Sequence, residues 1–185
     1  MPPFPAPEER STGVTIEERL AHLEDEAAIR ALLASYGRAI DRGDSAMLAG
    51  LFHADAQIHY GADVFEGCAG QFVAAVLAIQ AAMVRTHHMS GQSLIVIRGE
   101  TAWAETYGQA THVIDQAGRT VEFSSGGRYL DRLEKREGSW RIAHRQVVSD
   151  WLRELPADES LFSRLQGPPR GQRGQADPSA YFFPA

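Results

Sequence analysis

Cysteine is almost absent: Cys68 is the single example among 185 residues. A disulfide framework or a cysteine-rich zinc site is therefore out of reach within one chain, and a reducing cytoplasm is the expected setting. Positive charge is also scarce, with 18 Lys and Arg against 24 Asp and Glu, for a net charge of −6. Nucleic acid is not an expected partner, because neutralising phosphates needs a basic face. No apolar run approaches the ~18 residues that a membrane-spanning helix requires. The longest, Phe72 to Met83, is short and carries Gln80, so no membrane association is expected. The opening MPPFPAPEERSTG lacks the apolar core of a secretory signal. GxGxxG, P-loop, HExxH and GxSxG patterns are missing, and His53 and His59 are too far apart for one helical turn. Neither a metal nor a nucleotide cofactor is expected.

The residues that are present suit one α+β domain. Residues 1–14 form a Pro-rich segment that is expected to be mobile. Thr15, with Glu18 three residues on, makes a capping box. Leu20, Leu23, Ala27, Ile29, Leu32, Leu33, Tyr36, Ala39 and Ile40 then recur at helical spacing. This predicts a helix from Ile16 to about Arg42, stopped at Gly43. Asp44 or Ser45 can cap a short second helix. A strand is expected from Ala56 to Tyr60, a short one at Val64–Phe65, and a third helix from Gly67 to about Arg85. Its buried side should include Val73, Val76, Leu77, Ile79, Gln80 and Met83. Four β-like runs come next, at roughly 88–98, 101–115, 120–134 and 138–152, separated by short Gly-bearing turns, and should pair as antiparallel hairpins. The main domain is thus expected over 15–153, and a short helix over 157–166 opens a Pro/Gly-rich tail, 154–185. Long curved strands with helices on one face form a cone, and its open end is a pocket.

Several residues could carry chemistry in that pocket. His87 and His88 open the first long strand, and alternation lets only one of them face inward. Strand parity alone leaves both open. Histidine titrates near neutrality and makes a credible base beside a carboxylate. Asp41 closes the first helix, where an acid opposes the helix dipole, and a carboxylate there can fix an imidazole's tautomer. Tyr36 lies on the apolar stripe of that helix and Tyr60 ends the first strand. A buried phenol needs a partner and can donate to a substrate oxygen. Arg145 falls inside the last strand, sharing a face by parity with Ala143, Val147, Ser149 and Trp151. An inward arginine would steady developing negative charge. Ala102, Ala104, Thr106, Gly108, Ala110 and His112 share one face of the second long strand, and their small side chains leave volume for a ligand. Each of these residues also has an ordinary reading as core or surface.

The segments AIDRGD, LFHADAQIHYG, THHMSGQ, GGRYLDRLEKREGSWRIAHR and the final DW resemble, in order and spacing, the SnoaL-like branch of the nuclear transport factor two superfamily, over about residues 16–152. The resemblance implies a cone-shaped, strongly curved antiparallel sheet with three helices. Within the superfamily the pattern is similar to lyases: hexachlorocyclohexane dehydrochlorinases, bile-acid and scytalone dehydratases, and diarylpropane lyases that release formaldehyde. It selects His88 over His87 as base, with Asp41 and Arg145 as its helpers and Tyr36 and Tyr60 as the added phenols. Gln92 stands where the dehydrochlorinases have Asn. Gln92, Thr106, Gly108, Val147 and Trp151 are the expected substrate contacts. The resemblance thus implies a cofactor-free lyase acting on a hydroxylated aromatic or polycyclic small molecule and assembling as a homo-oligomer, a trimer before a dimer. An isomerase or cyclase of the same fold, or a non-catalytic binding module, is the alternative. The Pro/Gly-rich tail matches none of those enzymes.

Overall fold

The computed structural model describes residues 13–158, 160, 164 and 167–182. The Pro-rich opening and most of the short helix expected over 157–166 lie outside the described residues. The first helix, α1, runs Ile16–Arg42 behind the expected capping box, with Glu18 N–H donating to the Thr15 hydroxyl at 3.1 Å and Thr15 N–H to Glu18 at 2.8 Å. It stops where Gly43 turns left-handed, at φ 65°. Its C-terminal half carries the buried face: Ile29, Leu33, Tyr36, Gly37, Ala39, Ile40 and Asp41. Leu20 and Leu23, expected on the same stripe, are more than half exposed, because contacts to the sheet begin further along the helix.

A short helix, α2 (Ser45–Gly50), is capped by the Asp44 side chain, which accepts from Met47 N–H at 2.9 Å. Strand β1 (Phe52–His59) begins four residues earlier than periodicity predicts. Tyr60 follows it directly. Val64–Phe65 is not a strand; Glu66–Cys68 is β2, pairing Gln57 with Cys68. A turn intervenes, in which Tyr60 N–H donates to Phe65 carbonyl at 2.8 Å. Helix α3 (Ala69–Ala81) is shorter than expected, since Arg85 is already paired with Val113 in the sheet. Phe72 and Gln80 are buried on it, while Ile79 is exposed.

Four long strands complete the chain: β3 (Arg85–Arg98), β4 (Thr101–Gln116), β5 (Arg119–Arg136) and β6 (Ser139–Pro156). The turns at Ala117-Gly118 and Glu137-Gly138 have positive φ at both residues (55° and 84°, 51° and 77°), the conformation that two-residue hairpins need. The six strands form one curled sheet in the order β2-β1-β6-β5-β4-β3. It is antiparallel except for β1 beside β6. So the sheet is mixed, a refinement of the antiparallel cone expected from the sequence. The concave side and the helices bury Ile29, Leu33, Ile40, Phe52, Ile58, Phe72 and Ile142. Among the described residues no helix is long and apolar enough to cross a membrane.

Candidate active site

Asp41 and His88 meet because α1 lies directly on β3. Gly37 marks the closest approach: a Cβ there would stand 2.9 Å from the His88 carbonyl oxygen. Glycine inside a helix costs about 1 kcal/mol relative to alanine, and here its bare backbone lets the helix settle onto the strand. One turn further, Asp41 Oδ1 accepts from His88 Nδ1 at 2.7 Å, and Oδ2 accepts from the His88 backbone N–H at 2.8 Å. The Thr86 hydroxyl donates to Oδ1 at 2.9 Å. Both side chains of the dyad are only 7% exposed. Burial alone would push the Asp41 carboxyl up. The His88 side chain and backbone, helped by Thr86, hold it below the usual carboxylate range. With the carboxylate on Nδ1, that nitrogen carries the proton and Nε2 is left as the basic one. His87 points the other way and is exposed.

His88 lines an apolar pocket of about 410 Å³. Tyr36, Tyr60, Phe72, Tyr129, Val147 and Met83 are among its walls. The Tyr36 and Tyr60 hydroxyls are hydrogen-bonded at 2.6 Å. Burial raises both phenols, Tyr36 the more strongly. The Arg145 charge partly counters this at both, while their mutual hydrogen bond raises Tyr36 and lowers Tyr60, leaving Tyr60 the more acidic of the pair. Both are neutral donors near pH 7.

Arg145, expected to face the ligand, does not line this pocket. It lies beneath the tyrosines, 1% exposed, with its guanidinium carbon 4.4 Å from the Tyr36 ring centre and 4.5 Å from that of Tyr129. Nε and Nη2 each donate to Asp131 at 2.7 Å. Burial opposes its charge, and the Asp131 carboxylate overrides burial and keeps it charged. Asp131 is itself 3% exposed, and no feature of the sequence singles it out.

Of the expected substrate contacts, Gly108 and Val147 line the pocket. Thr106 is buried away from it, hydrogen-bonded to Ser93 at 2.8 Å. Gln92 is exposed, because the β3–β4 register slips between Ser90 and Ser93. Trp151 also lies outside. An extra residue at Asp150 shifts the strand's alternation, so Leu152 lines the pocket while the Trp151 indole packs across Gly126.

His112 enters the site from the small-residue face of β4. Its ring stands edge-on to His88, centroids 5.1 Å apart, and its Nε2 is 3.4 Å from Gln80 Nε2. Burial, with the neighbouring His88, pushes it down to about 4 from an ordinary 6.5. The unfolded chain therefore binds this proton at a pH where the folded chain does not. Stability should fall as pH drops from about 6.5 towards 4. Asp41, whose folded value is depressed, adds stability above the ordinary carboxylate range that is lost as pH falls further. Urea unfolding across pH 7 to 4 should show the upper slope, and His112→Gln should flatten it. An unchanged slope in that variant would contradict the assignment.

The chain belongs to the SnoaL-like domain family, which matches residues 21–146. That places it in the superfamily of the nuclear transport factor two fold, whose members include enzymes that process small molecules. It is similar in structure to a putative scytalone dehydratase from Novosphingobium aromaticivorans, at 18% identity and a TM-score of 0.65 over 76% of this chain and 93% of that one. A type 3 hexachlorocyclohexane dehydrochlorinase from Novosphingobium barchaimii aligns at 16% identity, TM-score 0.63, over 74% and 94%. The Kfla4162 protein from Kribbella flavida aligns at 17%, TM-score 0.64, over 71% and 95%. At these identities the likeness is one of fold. No curated protein sequence matches the chain.

Proposed function

We propose that the protein is a lyase that uses His88 as a general base. The carrying observation is the combination of an Asp41-anchored imidazole and a phenol pair lining one apolar pocket. Nε2 of His88 takes a proton from a substrate carbon or hydroxyl. Tyr60, backed by Arg145 and bonded to Tyr36, donates to the oxygen that departs. In a dehydration a C–H and a C–O bond break, a C=C bond forms, and water leaves. In an arylated 1,3-diol the proton comes from the terminal hydroxyl instead. The C–C bond then breaks to give formaldehyde, the adjacent hydroxyl leaves as water, and an alkene remains. A pocket of about 410 Å³ with few polar groups suits an aromatic or compact polycyclic body bearing one or two hydroxyls.

Hydroxylated aryl and steroid compounds incubated with the protein should yield a product lighter by water, or by water and formaldehyde, on mass spectrometry. A rearranged product of unchanged mass would replace this reading with an isomerase. Tight binding without turnover across the panel would make the protein a binding module.

A further inference from the structure

The segment 167–182 lies outside the family match, yet it is tied to both helices that frame the dyad. Arg38 of α1 donates to the Ser179 hydroxyl at 2.9 Å, and Arg42 Nε stands 3.0 Å from Asp177 Oδ1. On the other side Arg173 Nη2 donates to the Gln80 and Met83 carbonyls, at 2.6 and 3.2 Å, where α3 ends. Asp177 is the knot: 3% exposed, it also accepts from Gln172 N–H at 2.8 Å and Ser179 N–H at 2.9 Å. Exposed ion pairs contribute little, but a buried carboxylate with several donors holds its geometry.

The tied positions flank the dyad. Asp41 falls between Arg38 and Arg42 in the last turns of α1. Gln80 touches His112, which touches His88. The dyad also stands between two spaces. His88 lines the apolar pocket, whereas Asp41, Thr86 and His87 line a second, polar one of about 640 Å³. Gly171, Gln172 and Arg173 wall that second space and do not line the first.

We infer that residues 167–182 are a brace that fixes the Asp41-bearing turn of α1 against His88 and restricts water from the outer side of the carboxylate, with Asp177 as its positioning residue. The inference rests on the reading of His88 as base for its catalytic consequence, but its structural part can be measured without substrate. Proton NMR of full-length protein labelled with ¹⁵N-histidine reads the His88 Nδ1–H directly. In Asp177→Ala and Arg173→Ala that proton should exchange with water roughly tenfold faster or more, because local opening becomes easier. Binding of 2-naphthol as an apolar-pocket probe should stay within about twofold in Asp177→Ala, since none of residues 167–182 lines that pocket and Arg173, which holds the Gln80 and Met83 carbonyls at its wall, is kept in that variant. On any compound the protein turns over, kcat should fall on the order of 10-fold or more with KM little changed, as small misplacements of catalytic groups do. Wild-type exchange in both folded variants would overturn the brace. Faster exchange without turnover by any variant or the parent would keep the brace and remove the lyase reading. Should Asp177→Ala not fold, Arg173→Ala, which leaves the knot intact, decides the question by the same exchange measurement.

Discussion

Replacing His88 with alanine is expected to lower kcat by at least ~10²-fold and up to ~10⁴-fold, the span that general-base catalysis supplies, while the protein stays folded. The folded state should survive because the imidazole packs at the pocket edge rather than in the apolar core, and Gly37 and the strand pairing His88↔Ala110 rest on its backbone. Asp41→Asn sharpens the test. The amide keeps the volume, but its NH₂ can face Nδ1 and favour the tautomer with the proton on Nε2. That variant should lose activity on a similar scale without removing the base itself. A role limited to packing predicts the opposite order, with Asp41→Asn nearly silent. Steady-state rates and circular dichroism on the two variants separate these outcomes, and an His88→Ala protein within tenfold of the parent rate would end the assignment.

Local sequence signals locate most of the elements, and the places where they fall short have one physical origin. Capping residues, Gly43 and the Gly-bearing turns are short-range devices, so α1 and the hairpins can be placed from neighbouring residues alone. Strand alternation is also short-range, but each bulge resets it. The two-residue turn at Glu137-Gly138 pairs Arg136 with Ser139 and Leu133 with Ile142. Counting on without interruption would set Asp131 opposite His144. An extra residue at Ala143 moves the register by one, so that Asp131 faces Arg145. A second at Asp150 exchanges Trp151 for Leu152 on the pocket side. A third irregularity leaves Gln92 outside. Bulges answer to sheet curvature, which is a property of the whole cone and leaves no local residue pattern. His88 shows the same limit: parity cannot choose it over His87, and the choice comes from the family resemblance. Gly37 is readable as an anomaly in a helix, but its purpose emerges only once β3 lies against it.

The Asp131–Arg145 pair carries the other large expected effect. Asp131→Ala leaves a guanidinium that is 1% exposed without its carboxylate. Stranding a buried charge costs about 3–5 kcal/mol, a large part of the stability of a domain this size. Arg145 also lies against both the Tyr36 and Tyr129 rings, which touch each other edge to face, so its displacement would disturb the pocket floor as well as the ion pair. Urea denaturation should therefore show Asp131→Ala to be strongly destabilised. The double variant Asp131→Leu, Arg145→Met should recover much of the loss, because matched apolar groups avoid the desolvation of both charges. The recovered protein is the informative one. Its core would be intact, but Tyr60 would lack the neighbouring positive charge that partly offsets the effect of burial on its hydroxyl. Turnover should then remain depressed although stability has returned, and the split between the two would mark Arg145 as a group that acts through Tyr60. If the double variant were both stable and fully active, the pair would be a packing device, and the departing oxygen would have to be served by the tyrosines alone.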